Sequence, residues 1–330
     1  GPAPLRPQID NHGCGHRTLD YFSLKSGIRD IDVHEDHPIA RTYFPTMSGS
    51  FESVPAPYRL NRDLPSLSDP VMIVMLTGWI DASGSANAAM ETLKRDAIHL
   101  ASFDPDVFID YRARRPIMEI REGINTGLNW SVPEIHYGHD VNNRDFVLLS
   151  GPEPDTAWQS FATHVVDLAK SLGVKMMVGL GAYPFATPHT RPARLSCTTP
   201  NREMRDAYGF IHSSIDVPAG VTAWLEHAFS DSGIPAISIW AQIPHYLAST
   251  AYPAGSVSLL EALNAVTGII TSVDHLRVEA DAQREKLDQL VTGNLEHVAM
   301  LRQMENAYDD ELPSGDDIAA ELEQFLRDND

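Results

Sequence analysis

From Val71 onward the chain alternates between short apolar runs and longer stretches in which apolar positions recur every three or four residues. The runs fall at 71–77, 106–111, 146–150, 174–180 and 235–241, and the helical spacing falls near 84–101, 155–172, 219–230 and 256–272. An unbroken apolar run too short for a helix reads as a strand buried on both faces. Several such strands separated by helices are the pattern of parallel βαβ units covered on both sides. The pattern predicts an α/β fold, with a three-layer core on a mostly parallel sheet over residues 61–273.

Three regions depart from the alternation. Residues 112–145 hold β-prone pieces at 116–120 and 128–135 with glycine and asparagine between them, too little chain for a crossover helix and its strand, and read as a β-hairpin insertion. A further β-prone piece at 194–199 is expected to pair at a sheet edge. Residues 1–60 read as an extended arm, because the first 70 residues carry nine of the 23 prolines and little periodicity. In residues 274–330 the apolar positions Leu287, Leu290, Val291, Leu295, Val298, Leu301 and Met304 predict one amphipathic helix over 274–308. After Leu312-Pro313-Ser314-Gly315 a second short helix is expected, with Ile318, Leu322, Phe325 and Leu326 on its stripe. The two helices must bury their stripes on the parent domain or on a partner. Intramolecular docking costs less entropy, so a C-terminal α-helical lid is expected.

Charge sharpens this division. The formal net charge is −20, and residues 274–330 hold 16 Asp or Glu against 5 Lys or Arg, so this segment carries 11 of the 20 excess negative charges. That balance argues against nucleic acid or an anionic membrane as partner. Cys14 and Cys197 lie far apart, which suggests neither a disulfide framework nor a zinc site and fits a reducing cytoplasm. The absence of an apolar span of 18 residues argues against a membrane anchor. No metal or cofactor is expected, and the histidine pairs His12/His16 and His34/His37 fall in the arm.

Candidate chemistry gathers where strands end, since ligands of α/β proteins bind outside the carboxyl ends of strands. After the first run, Asp81, Ser83 and Gly84 open a helix. They read either as a cradle for a polar or anionic ligand or as caps and turn-formers of that helix. After the second run, Asp110 is followed by Arg112, Arg114 and Arg115, an anion site or an internal ion-pair cluster in equal measure. Glu153 lies between two prolines at the end of the third run, with Asp155 as the expected cap of the next helix. The long loop after the fourth run offers His189 as acid or base and Arg191 as anion partner, with Gln242, His245 and Tyr246 arriving from the last strand. No Gly-x-Ser-x-Gly elbow, Walker loop, dinucleotide fingerprint or His-Glu-x-x-His is present.

Leu76-Thr77-Gly78-Trp79-Ile80-Asp81-Ala82-Ser83-Gly84, the 110–116 stretch, Gly151-Pro152-Glu153-Pro154-Asp155 and the 179–192 loop, in that order, resemble the proteasome assembly chaperone 2, or PAC2, family in its actinobacterial branch. The resemblance covers roughly residues 55–275, with Leu312 to Gly315 as a further likeness. It implies a phosphorylase/hydrolase-like core, a hairpin that serves oligomerisation, a helical lid and assembly as a homotrimer. Eukaryotic and archaeal members help assemble proteasomes through a C-terminal hydrophobic-Tyr-x tripeptide. This chain ends Arg327-Asp328-Asn329-Asp330, which argues against that mode of docking. Two readings follow. The first is a non-catalytic assembly or scaffold protein acting through protein contacts. The second is a small-ligand binder or enzyme that uses Asp81, Ser83, Gly84, Asp110, Arg112, Arg115, Glu153, His189, Arg191 and Tyr246 at a strand-end pocket beneath the lid.

Overall fold

The computed structural model describes residues 56–310. In chain order the elements are β1 (Tyr58–Leu60), β2 (Val71–Thr77), α1 (Ser85–Lys94), β3 (Ile98–Phe103), α2 (Pro105–Phe108), β4 (Ile117–Arg121), β5 (Ile124–Asn129), β6 (Glu134–His139) and β7 (Asp145–Pro152). They continue with α3 (Trp158–Ser171), β8 (Met176–Phe185), β9 (Leu195–Thr198), α4 (Arg202–Ala207), α5 (Val221–Asp231), β10 (Ala236–Pro244), α6 (Pro253–Thr267), α7 (Asp274–Thr292) and α8 (Leu295–Asp310). Residues 1–55 of the arm expected over 1–60, and the short helix expected after Pro313, lie outside the described residues, while Tyr58–Leu60 of that arm form β1.

Eight strands form one sheet in the order β1-β3-β6-β7-β2-β8-β10-β9. The four central strands, β7, β2, β8 and β10, are mutually parallel, while both flanks pair antiparallel. The sheet is therefore mixed, with its parallel part at the centre and β9 on the edge as expected.

β2 explains the three layers. Val71, Ile73 and Met75 pack on one face with Ala86, Ala89 and Met90 of α1 and Leu259 and Leu263 of α6. Met72, Val74 and Leu76 pack on the other with Phe161 and Val165 of α3 and Leu225 and Phe229 of α5. Successive side chains of a strand point to opposite faces, so a central strand covered twice must be apolar throughout.

Four expectations need correction. The helix over 84–101 stops at Lys94, because 98–103 forms β3. The strand over 106–111 is instead α2, which Asp104 caps by accepting from Asp106 N at 3.0 Å, with Pro105 in the first turn. Phe108 is its plug, buried against Phe103 and Phe161. Within 112–145 only β4 and β5 form the separate hairpin, whereas β6 joins the main sheet between β3 and β7. The single helix over 274–308 is two, broken at Gly293-Asn294, where the Asn294 side chain accepts from Glu296 N at 2.9 Å and starts α8.

Candidate functional site

The carboxyl ends of β7, β2, β8 and β10 share one edge of the sheet, and the candidate residues reach it in two groups. The first lies at β2 and β7. Asp81 accepts from the backbone N–H groups of Ala86 at 2.9 Å and Asn87 at 3.0 Å, so its carboxylate fills the amino end of α1. Burial raises its pKa above the ordinary carboxylate value, against those two hydrogen bonds. An anionic ligand would need the place this carboxylate holds. Ser83, at φ 61°, and Gly84, at φ 67°, turn the chain into the helix. Ser83 N donates to Ala248 O at 2.6 Å, its hydroxyl lies 2.6 Å from Ser85 Oγ, and Ser85 Oγ donates to Tyr252 O at 3.1 Å.

Glu153 caps a second helix, accepting from Val221 N of α5 at 3.1 Å while its own N–H donates to Thr77 O at 2.7 Å. Asp155 does not cap α3. One of its oxygens accepts from Arg114 Nε at 3.0 Å and the other from Asp110 N at 2.9 Å. Asp110 in turn accepts from Arg112 N at 2.8 Å. The Arg114 guanidinium lies against Gly78, at φ 120°, where a Cβ would come within 2.6 Å of Nη2. Only glycine permits that approach. The side chains of Arg112 and Arg115 are exposed and make no hydrogen bond or ion pair among the described residues. Of the three neighbouring arginines, it is Arg114 that ties β2 to β7.

The second group lies beyond β8 and β10, where loop 186–194 meets α7 and α8. His189 Nδ1 is 2.7 Å from Tyr246 Oη, and His189 N donates to the same oxygen at 2.9 Å. Its Nε2 faces Asp288 Oδ1 of α7 at 3.3 Å. A carboxylate only accepts, so Nε2 carries the proton and Nδ1 accepts from the tyrosine hydroxyl. The imidazole is 1% exposed, and burial lowers its pKa despite Asp288. Burial likewise pushes Tyr246 up to about 12. Arg191 donates from Nε and Nη2 to the two oxygens of Asp309 at 2.9 and 2.7 Å, and from Nη1 to Glu305 at 3.4 Å. Thr190 Oγ1 donates to Glu305 at 2.5 Å. The Arg194 guanidinium lies 3.9 Å above the Tyr308 ring and donates to Tyr308 O. Tyr308 Oη donates to Pro192 O at 3.1 Å.

Two cavities adjoin this loop. One of about 290 Å³ lies between the loop, the start of α6 and α7, lined by His189, Arg191, Tyr252, Val257, Arg284 and Leu287 among others. The other, of about 20 Å³, is bounded by Thr187, Gln242, Arg194, Ala307 and Tyr308. Gln242 donates to Tyr183 Oη at 3.0 Å, but Gln242 Oε1 and Thr187 Oγ1, on residues each 3% exposed, have no partner among the described residues.

The structure thus unites Asp81, Ser83 and Gly84, sets Asp110 and Glu153 at the ends of β2 and β7, and unites His189, Arg191 and Tyr246 elsewhere. No hydrogen bond or ion pair among the described residues links Asp81, Arg112 or Glu153 to His189. Sequence reading missed the part played by Glu305 and Asp309, which registered only as acidic excess, and by Tyr308, which did not register. Their three- and four-residue spacing on one helix was the available signal. Among the described residues there is no group of three or more potential metal ligands and no helix long and apolar enough to cross a membrane.

A Corynebacterium glutamicum protein of unknown function is 29% identical and superposes with a TM-score of 0.71, over 77% of this chain and 97% of that one. A Mycobacterium tuberculosis protein of unknown function is 32% identical with a TM-score of 0.71, over 78% and 92%. A second M. tuberculosis protein, a proteasome-assembly chaperone homologue, is 26% identical with a TM-score of 0.66, over 71% and 99%. A search of curated proteins gives no match. The sequence profile of the PAC2 family matches residues 75–291, and the chain belongs to that family.

Proposed function

We propose that this protein is a homotrimeric, non-catalytic assembly or scaffold protein that acts through protein–protein contacts. The β4–β5 hairpin carries the reading. It is a two-stranded sheet apart from the main one, and Ile117 and Ile124 are 69% and 66% exposed, with Met118, Ile120 and Leu128 also exposed. An isolated hairpin is marginal in water, and exposed apolar side chains gathered on one mark an interface. A second copy of the chain is the occupant that this reading commits to, in keeping with the homotrimer implied by the family resemblance. The likeness to an M. tuberculosis protein described as a proteasome-assembly chaperone homologue supports a function exercised on other proteins.

Light scattering on the purified chain tests the reading. The expected mass is three times that of one chain, and Ile117→Glu with Ile124→Glu returns it to one. A single-chain mass at every concentration would sink the proposal.

A second reading, a small-ligand binder or enzyme with a phosphorylase/hydrolase-like pocket, is favoured by the 290 Å³ cavity. Its demand is that nucleosides or small anions raise the melting temperature, since ligands of the native state stabilise it. The capping duties of Asp81 and Glu153 move any such pocket toward His189.

A further inference from the structure

The α7–α8 pair is held to the core by few buried side chains. Each of the two helices buries a single side chain, Leu276 on α7 and Met304 on α8. Beside the buried Met304 and the half-buried Val298, Met300 and Leu301, what α8 presents to loop 186–194 is polar: Glu305 and Asp309 to Arg191 and Thr190, and Tyr308 to Arg194 and Pro192. Arginine forks that grip carboxylates bidentately, beside an aromatic ring under a guanidinium, are how proteins recognise acidic segments of other chains. Here the segment recognised is the protein's own.

The fit is also incomplete. Ala307 and Tyr308 close the 20 Å³ cavity over Gln242 Oε1 and Thr187 Oγ1 and satisfy neither. Leaving a buried polar atom without a partner costs free energy, so a segment with a polar side chain where Ala307 stands would suit this surface better than α8 does.

We propose that loop 186–194, with Gln242 beneath it, is a docking site for an acidic, tyrosine-bearing segment of a partner protein, which α8 occupies in cis as an autoinhibitory strap. The proposal rests on the reading that this protein works through protein contacts. A tethered strap competes at an effective concentration far above that of a free partner. The loop is therefore reachable in proportion to the fraction of molecules in which α8 has lifted.

The test uses the full chain and a fluorescein-labelled peptide of residues 295–310, followed by anisotropy at low salt. Glu305→Gln with Asp309→Asn removes the strap's charge at nearly constant volume, and circular dichroism checks that the helices persist. If α8 is lifted in one to ten per cent of unsubstituted molecules, the peptide binds the substituted chain roughly ten- to hundredfold more tightly. Adding Arg191→Ala abolishes that gain, and a peptide carrying Ala307→Asn binds more tightly than the parent peptide. Equal affinity for substituted and unsubstituted chains overturns the proposal, as does binding indifferent to Arg191. A rise in oligomeric mass of the substituted chain also overturns it, because the surface that α8 leaves would then be taken by a second copy of the chain rather than by a partner protein. The mass of the unsubstituted chain tests the assembly reading separately, so the two failures are distinguishable.

Discussion

Two ends of one sheet edge are built from the same side chains to opposite effect. At β2 and β7, Arg114 meets Asp155 with side chains 26% and 17% exposed, wedged against Gly78 just beyond the ends of two core strands. Beyond β8 and β10, Arg191 meets Asp309 with side chains 34% and 47% exposed, and the carboxylate rides on a helix that buries one residue. An arginine–carboxylate pair is a fixture when apolar packing holds both partners in place, and a releasable contact when solvent and salt reach it. What separates structure from switch here is the burial around the charges, not their identity.

Breaking the first end has the largest effect. Arg114→Ala leaves the Asp155 carboxylate without its cation and opens space beside Gly78. Removing one partner of a fully buried pair costs more, and partial exposure brings the expected loss to about 2–3 kcal/mol. Asp81→Ala uncovers the N–H groups of Ala86 and Asn87 and costs about 1–2 kcal/mol. Thermal melts report both, at about 2–4 °C per kcal/mol for a domain of this size. If Arg114→Ala melts like the unsubstituted chain, the β2–β7 end is no more a fixture than the other.

Breaking the second end is expected to change dynamics more than stability. Arg191→Ala leaves the main melting transition nearly in place but speeds hydrogen exchange in α8, while α3 and α5 stay protected. Rising salt brings the unsubstituted chain toward the same behaviour, because the contacts it screens are the exposed ones. Exchange in α8 as slow as in α3 at every salt concentration would make α8 part of the rigid core and erase the contrast.

The first end was far more legible in the sequence than the second. β2 announced itself because a strand covered on both faces is apolar at every position, and Asp81, Ser83 and Gly84 announced a helix start because caps and turns demand those residue types. Local chemistry left open whether Asp81 serves a ligand or its own helix, since both use the same N–H groups; only the bonds to Ala86 and Asn87 decide. The 106–111 run misled because Phe108 and Ile109 are apolar to plug a core rather than to form a strand, while Asp104-Pro105 already carried the helix signal. The clasp joining Arg191 to Glu305 and Asp309 spans more than a hundred residues. No periodicity encodes a contact that depends on how two elements dock.

The smallest predicted effect separates the two ends by pH. His189 faces Tyr246 from the turn after β10, Asp288 and Arg284 from α7 and Glu305 from α8, and burial holds its pKa below the ordinary 6.5. The folded state therefore binds this proton less readily than the unfolded state. The stability it contributes is present above 6.5 and is lost as pH falls from there toward the folded value. Protonation also removes Nδ1 as the acceptor of the Tyr246 hydroxyl. Between about pH 7.5 and about pH 5.5, then, the unsubstituted chain loses melting temperature that His189→Gln does not lose. Other groups titrate in the background. His136, lowered by burial to about 4, acts in the same sense as His189, and Asp81 and Glu226, raised by burial, act in the opposite one. None of these is touched by His189→Gln, so the difference between the two chains isolates the histidine. Identical pH profiles would mean that His189 is not held buried and neutral between Tyr246, α7 and α8. The second end would then depend on the Arg191 and Arg194 contacts alone.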